Sequence, residues 1–168
     1  MSPVPLRQRK FDLVFLVFFV INLVFTTYIV DIEQLIIADP ENFTYPIWPP
    51  AQMVDLIHWY GNTFDPLLMA RPPFWRMTIW IDVVFFGPFY AFATYAFIKG
   101  RNWIRVPALV WSGTMIANVL IILMDEAYGV TPAKNFPAVL GFNALWLLMP
   151  FVMIWRMRRD PFTPKDAA

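Results

Sequence analysis

FDLVFLVFFVINLVFTTYIV, residues 11–30, decides the fold. A stretch of this length matches the ~20 residues an α-helix needs to cross the ~30 Å hydrocarbon core of a bilayer. Comparable apolar stretches recur at 77–98, 105–124 and 137–155. The composition agrees, because 59% of the 168 residues are hydrophobic and only 15% are charged. Soluble domains run at roughly 45–50% apolar and ~25% charged. The chain therefore reads as an all-α polytopic membrane protein, a four-helix bundle with a long outer loop between helices 1 and 2. One domain over 11–155 accounts for the length, with short cytoplasmic tails at 1–10 and 156–168.

The charge distribution orients this bundle. Arg7, Arg9 and Lys10 precede the first stretch, and Lys99, Arg101 and Arg105 lie between the second and third. Arg156, Arg158, Arg159 and Lys165 follow the fourth. The two remaining connections hold Arg71, Arg76 and Lys134 against Asp31, Glu33, Asp39, Glu41, Asp55, Asp65, Asp125 and Glu126. The positive-inside bias puts both termini and the 99–105 turn in the cytoplasm. The membrane is a bacterial inner membrane or the endoplasmic reticulum. The tail lacks paired lysines near its end, a feature of many endoplasmic-reticulum residents. The first stretch reads as an uncleaved span, since it has no small-x-small cleavage site.

Several function classes drop out. There is no cysteine, so there is no disulfide, thiolate nucleophile or sulfur-ligated metal. The basic residues are too few and too dispersed for nucleic acid. His58 is the only histidine and has no ligand spacing around it, so it reads as an interfacial residue. No metal, cofactor or catalytic residue is expected.

The connection 31–76 is rich in proline (Pro40, Pro46, Pro49, Pro50, Pro66, Pro72, Pro73), which excludes a regular helix through 40–50. Between the proline clusters, Met53, Leu56, Ile57, Tyr60 and Phe64 recur at helical spacing. That predicts a short amphipathic helix in the interface or across the bundle mouth. Gly87-Pro88 predicts a kink in the second span. Residues 160–168 read as a solvated end.

Polar residues inside the spans point to the site. Counted from the outer ends, Asn22, Asp82, Asn118 and Asn143 fall at one depth of roughly 7–12 Å at ~1.5 Å per residue. Trp111 and Thr114 share the face of Asn118, and Trp146 lies one turn beyond Asn143. Asparagines in membrane helices often serve as interhelical glue. Asp82 asks for more, because a carboxylate in a span must be protonated, paired or hydrated. The composite is an aromatic chamber with a few polar groups, the makeup of a small-molecule pocket.

Three segments carry a resemblance. "FDPLLMARPPFW" (64–75) and "FATYAFIKGRNWIRVPAL" (92–109) resemble the sigma-2-receptor branch of the EXPERA family, and "NALWLLMP" (143–150) resembles its emopamil-binding branch. The chain is identified as a member of that family along residues 11–155. The resemblance implies a cavity that accepts sterols, other isoprenoid lipids and cationic amphiphiles. It also implies that Asp31 and Asp65 form an amine-binding pair, with Asp82 in the same cavity. Homodimers occur in the sigma-2 branch. The isomerase branch uses a histidine and a glutamate where this chain has Asn22 and Thr26, which cannot supply a proton at neutral pH. The candidate ligand-binding set is Asp31, Asp65, Asp82, Asn118, Asn143, Trp146, Asn22, Trp111 and Thr114. The expected function is binding or transport of a sterol, isoprenoid lipid or cationic amphiphile without catalysis. One alternative is a sterol-type double-bond isomerase, on the strength of Asn143 and Trp146. The other is a structural or assembly subunit of a larger membrane complex, with a lipid or pigment in its groove; 18% aromatic residues and eight Trp suit such contacts.

Overall fold

The computed structural model describes residues 3–163, and every regular element among them is helical. In chain order the helices are α1 (Asp12–Ile36), α2 (Ala51–Thr63), α3 (Leu67–Ala70), α4 (Pro73–Lys99), α5 (Asn102–Tyr128) and α6 (Phe136–Met157). Of these, α1, α4, α5 and α6 are long and apolar enough to cross a membrane. The chain is a multi-pass membrane protein, and four crossings bring its two ends to the same side.

The spans outrun the apolar stretches. α1 continues past Val30 through Asp31, Glu33 and Gln34, all of them buried. α4 starts at Pro73, where a missing N–H costs nothing because that donor has no partner in a first turn. The last turn of α5 takes in Asp125 and Glu126.

Two segments are wound as π-helix, Asn22–Asp31 in α1 and Asp82–Phe86 in α4. The second ends just before Gly87-Pro88, where the sequence predicts a kink. Pro88 cannot donate to the preceding turn, and the wider winding absorbs that loss. Gly87 allows α1 and α4 to approach, since a Cβ there would sit 2.8 Å from Thr27 Cγ2.

Lipid supplies no hydrophobic drive between helices, so dispersion and close fit must hold the bundle. Val14, Val17, Val20, Ile21 and Val24 form the outward stripe of α1, while Phe15, Phe18 and Phe19 turn inward. The inward rings meet Phe89, Tyr90, Phe97 and Trp111 edge-to-face or tilted, with centroids 5.3–6.4 Å apart. Such contacts are worth about 0.5–1.5 kcal/mol each beyond burial. Ala93, Ala96, Ala108 and Ser112 are fully buried and let the backbones come close.

Ion pairs fasten each end. Where the termini meet, Arg156 Nε and Nη2 donate to Asp12 at 2.8 and 3.0 Å, and Arg9 pairs with the same carboxylate. Both guanidiniums lie over the Phe162 ring, at 4.5 and 5.5 Å from its centroid. The expectation of a solvated tail therefore needs correcting for 160–163. Phe162 is buried between two cations and packs on Phe97 at 5.2 Å. Residues 164–168 lie outside the described residues.

At the opposite end, α2 and α3 form a cap. The amphipathic helix expected around Met53–Phe64 is α2, one residue or two off at each boundary. Buried Glu33 of α1 accepts from Arg71 Nη2 at 2.7 Å and Gln34 Nε2 at 2.6 Å, with His58 Nε2 at 2.8 Å. Arg71 also donates to the carbonyls of Leu68 and Ile37. It sits at φ 48°, a left-handed conformation that ends α3 and that these bonds hold in place.

Candidate functional site

Between the cap and the spans lies a cavity of about 440 Å³. Each element contributes a wall: Phe25 and Val30 from α1, Trp59 and Tyr60 from α2, Trp75 and Ile79 from α4. Met115 and Ile122 of α5 and Phe142 and Trp146 of α6 close it. The walls are overwhelmingly apolar and aromatic, as expected for a site that receives a small apolar molecule.

Four carboxyl groups enter this apolar space: Asp31, Asp65, Asp82 and Glu126, none more than 9% exposed. They stand as two pairs. Asp31 faces Asp82 deep in the bundle, where the Thr27 hydroxyl donates to Asp82 Oδ1 at 3.3 Å. The π-helical segments end at Asp31 and begin at Asp82. Asp65 faces Glu126 under the cap, where the Leu67 N–H donates to Asp65 Oδ1 at 3.1 Å. Among the described residues no donor reaches Asp31 Oδ2 or either oxygen of Glu126. A contact between two carboxyls holds only with a proton or a cation between them. Burial pushes the Asp65 carboxyl above its ordinary 3.8, although bonds from Glu126 and Leu67 pull it partly back. Burial, then the nearby Asp65 and Glu126, push the Tyr60 phenol up as well.

The sequence-derived set divides in this geometry. Asp31, Asp65, Asp82, Asn118, Asn143 and Trp146 line the cavity. Asp31 and Asp65 are not each other's partners; each belongs to a different pair. Asn22, Trp111 and Thr114 lie outside the lining. The Asn22 Oδ1 accepts from Trp146 Nε1 at 2.6 Å and its amide donates to Phe18 O, which joins α1 to α6 beside the cavity. Trp111 is fully buried in the aromatic core, stacked on Phe89 at 5.1 Å, and Thr114 returns its hydroxyl to Val110 O. Asn118 donates to Thr78 O at 3.4 Å and Asn143 to Val139 O at 3.0 Å, so these amides also serve the helices.

Glu126 is absent from the sequence-derived set, because in the sequence it counts only among the acidic residues of the outer connections. A signal existed. Asn118, Ile122 and Glu126 are spaced by four and share one face of α5. Trp59, Tyr60 and Trp75 were also missed as wall residues, because the cap's position over the bundle is a tertiary fact.

The fold and the site define a class: a four-span membrane bundle with a capped, carboxyl-bearing internal cavity. The family model described as EXPERA (EXPanded EBP superfamily) matches residues 52–157, and the chain belongs to that family. It is similar to the sigma intracellular receptor 2 of Xenopus tropicalis, at 30% identity over 137 residues covering 75% of this chain and 80% of the relative. The human sigma intracellular receptor 2 is 30% identical over 132 residues, covering 67% of this chain and 72% of the relative. The Macaca fascicularis protein of that name is 31% identical over 127 residues with the same coverage.

Proposed function

We propose that the chain binds a sterol, another isoprenoid lipid or a cationic amphiphile in its capped cavity and carries or holds it without catalysis. The observation that carries this reading is the set of buried carboxyls facing an apolar, aromatic space with no cation opposite them among the described residues. An amine on an apolar body satisfies both features, since its charge meets a carboxylate at low dielectric and its body displaces nothing polar. The charge distribution supports an orientation with both termini in the cytoplasm, which places the cap at the outer face.

The test is lipid extraction and native mass spectrometry on protein purified gently from its own membrane. The expected result is one isoprenoid or amphiphile in near-stoichiometric amount, lost in Asp82→Ala. Stable co-purifying protein subunits with no small molecule would replace this reading by that of an assembly subunit.

A second reading is favoured by one arrangement. Asn143 and Trp146 line the same cavity as the Asp31–Asp82 pair, so a proton source and groups able to steady a carbocation share one space. That is the layout a double-bond isomerase needs. Asn22 and Thr26 cannot act as acid or base, so the chemistry would rest on Asp31 and Asp82 alone. Incubation with a delta-8 sterol and mass spectrometry of the products decides it; absence of turnover on any polycyclic olefin removes this reading.

A further inference from the structure

Six acidic side chains are buried among the described residues, and they fall into two groups. Asp12 and Glu33, outside the cavity, each hold two basic partners, Arg9 with Arg156 and Arg71 with His58. Asp31, Asp65, Asp82 and Glu126, inside it, hold none, and among the described residues no lysine, arginine or histidine lines the space. Wherever this fold buries a carboxylate for its own stability, it supplies a cation. The cavity is the exception, and Glu126 is its extreme case: 1% exposed, with both oxygens lacking any donor. A buried charge left unpaired costs several kcal/mol. Four carboxyls in one space with no basic side chain beside them therefore mark where positive charge is to come from outside the chain.

The two pairs are also separated. Asn118 meets Thr78 at one level, Glu126 lies eight residues up α5, and Asp82 lies one turn down α4. At ~1.5 Å per residue the backbones of Asp82 and Glu126 are about 18 Å apart along the bundle. Side chains lean toward each helix N-terminus, and α4 and α5 run in opposite directions, so both carboxyls lean inward and the gap shrinks to about 13 Å. Between the poles the wall is apolar apart from Asn118 and Thr78, and Trp59, Tyr60, Trp75 and Trp146 also line the cavity. One amine cannot serve both poles.

We infer that the cavity is built for a dication: an apolar chain or ring system with one protonated amine for Asp31 and Asp82 and a second, about 13 Å away, for Asp65 and Glu126. This rests on the binding function proposed above and names its ligand class. Tyr60 favours it further, because its ring stands near Asp65 and Glu126, where the second ammonium would lie.

The experiment uses the full chain in mild detergent and calorimetric titration with three probes: decylamine, decanediamine with an amine at each end, and putrescine. Decanediamine spans the poles, decylamine reaches one, and putrescine carries two charges too close together. The expected order places decanediamine about tenfold or more tighter than decylamine, with putrescine weakest. In Glu126→Gln, an isosteric change, the ratio of the two decyl affinities falls toward one while thermal melting confirms the fold. Decylamine binding as tightly as decanediamine, or a ratio unchanged in Glu126→Gln, overturns the dication and leaves the single-amine site standing. No binding of either decyl probe overturns both the dication and the amine-binding function.

Discussion

Arg71→Met should loosen the cap, and the structure allows the loss to be sized. Arg71 is 6% exposed and donates to Glu33, Leu68 O and Ile37 O, while Glu33 has no exposure at all. Methionine keeps much of the apolar stem and removes every donor. Glu33 then retains Gln34 and His58 but loses its permanent cation. Breaking a buried ion pair from one side costs about 3–5 kcal/mol, because the remaining charge has left water and gained nothing in return. For a chain of this size about 2–4 °C of melting temperature goes with each kcal/mol, so the midpoint should fall by about 6–20 °C. The chain has no cysteine for thiol dyes but has eight tryptophans, so heating followed by size-exclusion chromatography with Trp fluorescence is the natural assay. Glu33→Gln combined with Arg71→Met removes both charges and should recover at least half of the loss. Two results refute the reasoning. One is a single variant melting within about 2 °C of the parent; the other is a double variant no more stable than the single one. Release of an amphiphile held as proposed should also quicken in Arg71→Met, since the cap carries Trp59, Tyr60 and Asp65 into the cavity wall.

Other outcomes follow from the same geometry. Trp146→Phe removes the 2.6 Å bond to Asn22 and leaves a buried amide oxygen unpaired, which should cost about 1–3 kcal/mol in a melting experiment. Phe162→Ala empties a buried site under two guanidiniums and should cost about 3–5 kcal/mol by the same assay, despite lying in the tail. Asp65 holds its proton more tightly folded than unfolded, so stability falls as pH rises through the unfolded value near 3.8 toward the higher folded one. Asp65→Asn should flatten that descent in melting temperatures recorded against pH. An unchanged slope would mean that Asp65 ionises freely.

The spans were legible because length and apolarity alone satisfy a bilayer, and α2 was legible because Met53, Ile57, Tyr60 and Phe64 keep helical period despite flanking prolines. The site was legible as a depth and not as a set of contacts. Counting residues from span ends brought Asp82, Asn118 and Asn143 to one layer, and all three line the cavity. The same count placed Asn22 there, yet its side chain turns to Trp146 instead. Two features resisted. The pairings Asp31 with Asp82 and Asp65 with Glu126 depend on helix register and on π-helical winding, which a 3.6-residue period does not carry. The burial of Phe162 depends on Arg9 and Arg156, and no local pattern in a short polar tail announces partners that far away.

The clasp at the shared end has a bearing on how the molecule is made. Val4 N donates to Phe162 O, and Asp12 finds Arg156 across 144 residues of sequence. A chain emerging in order inserts α1 first, with Asp12 at its edge and only Arg9 to accompany it. The second guanidinium arrives after three more crossings have been threaded. Completion of the bundle is thus registered by its earliest residues, and a ribosome that stops short of Arg156 leaves the first helix with its opening charge half answered. Such an unfinished chain carries its own mark of incompleteness, a carboxylate at the rim of the first span with one guanidinium in place of two.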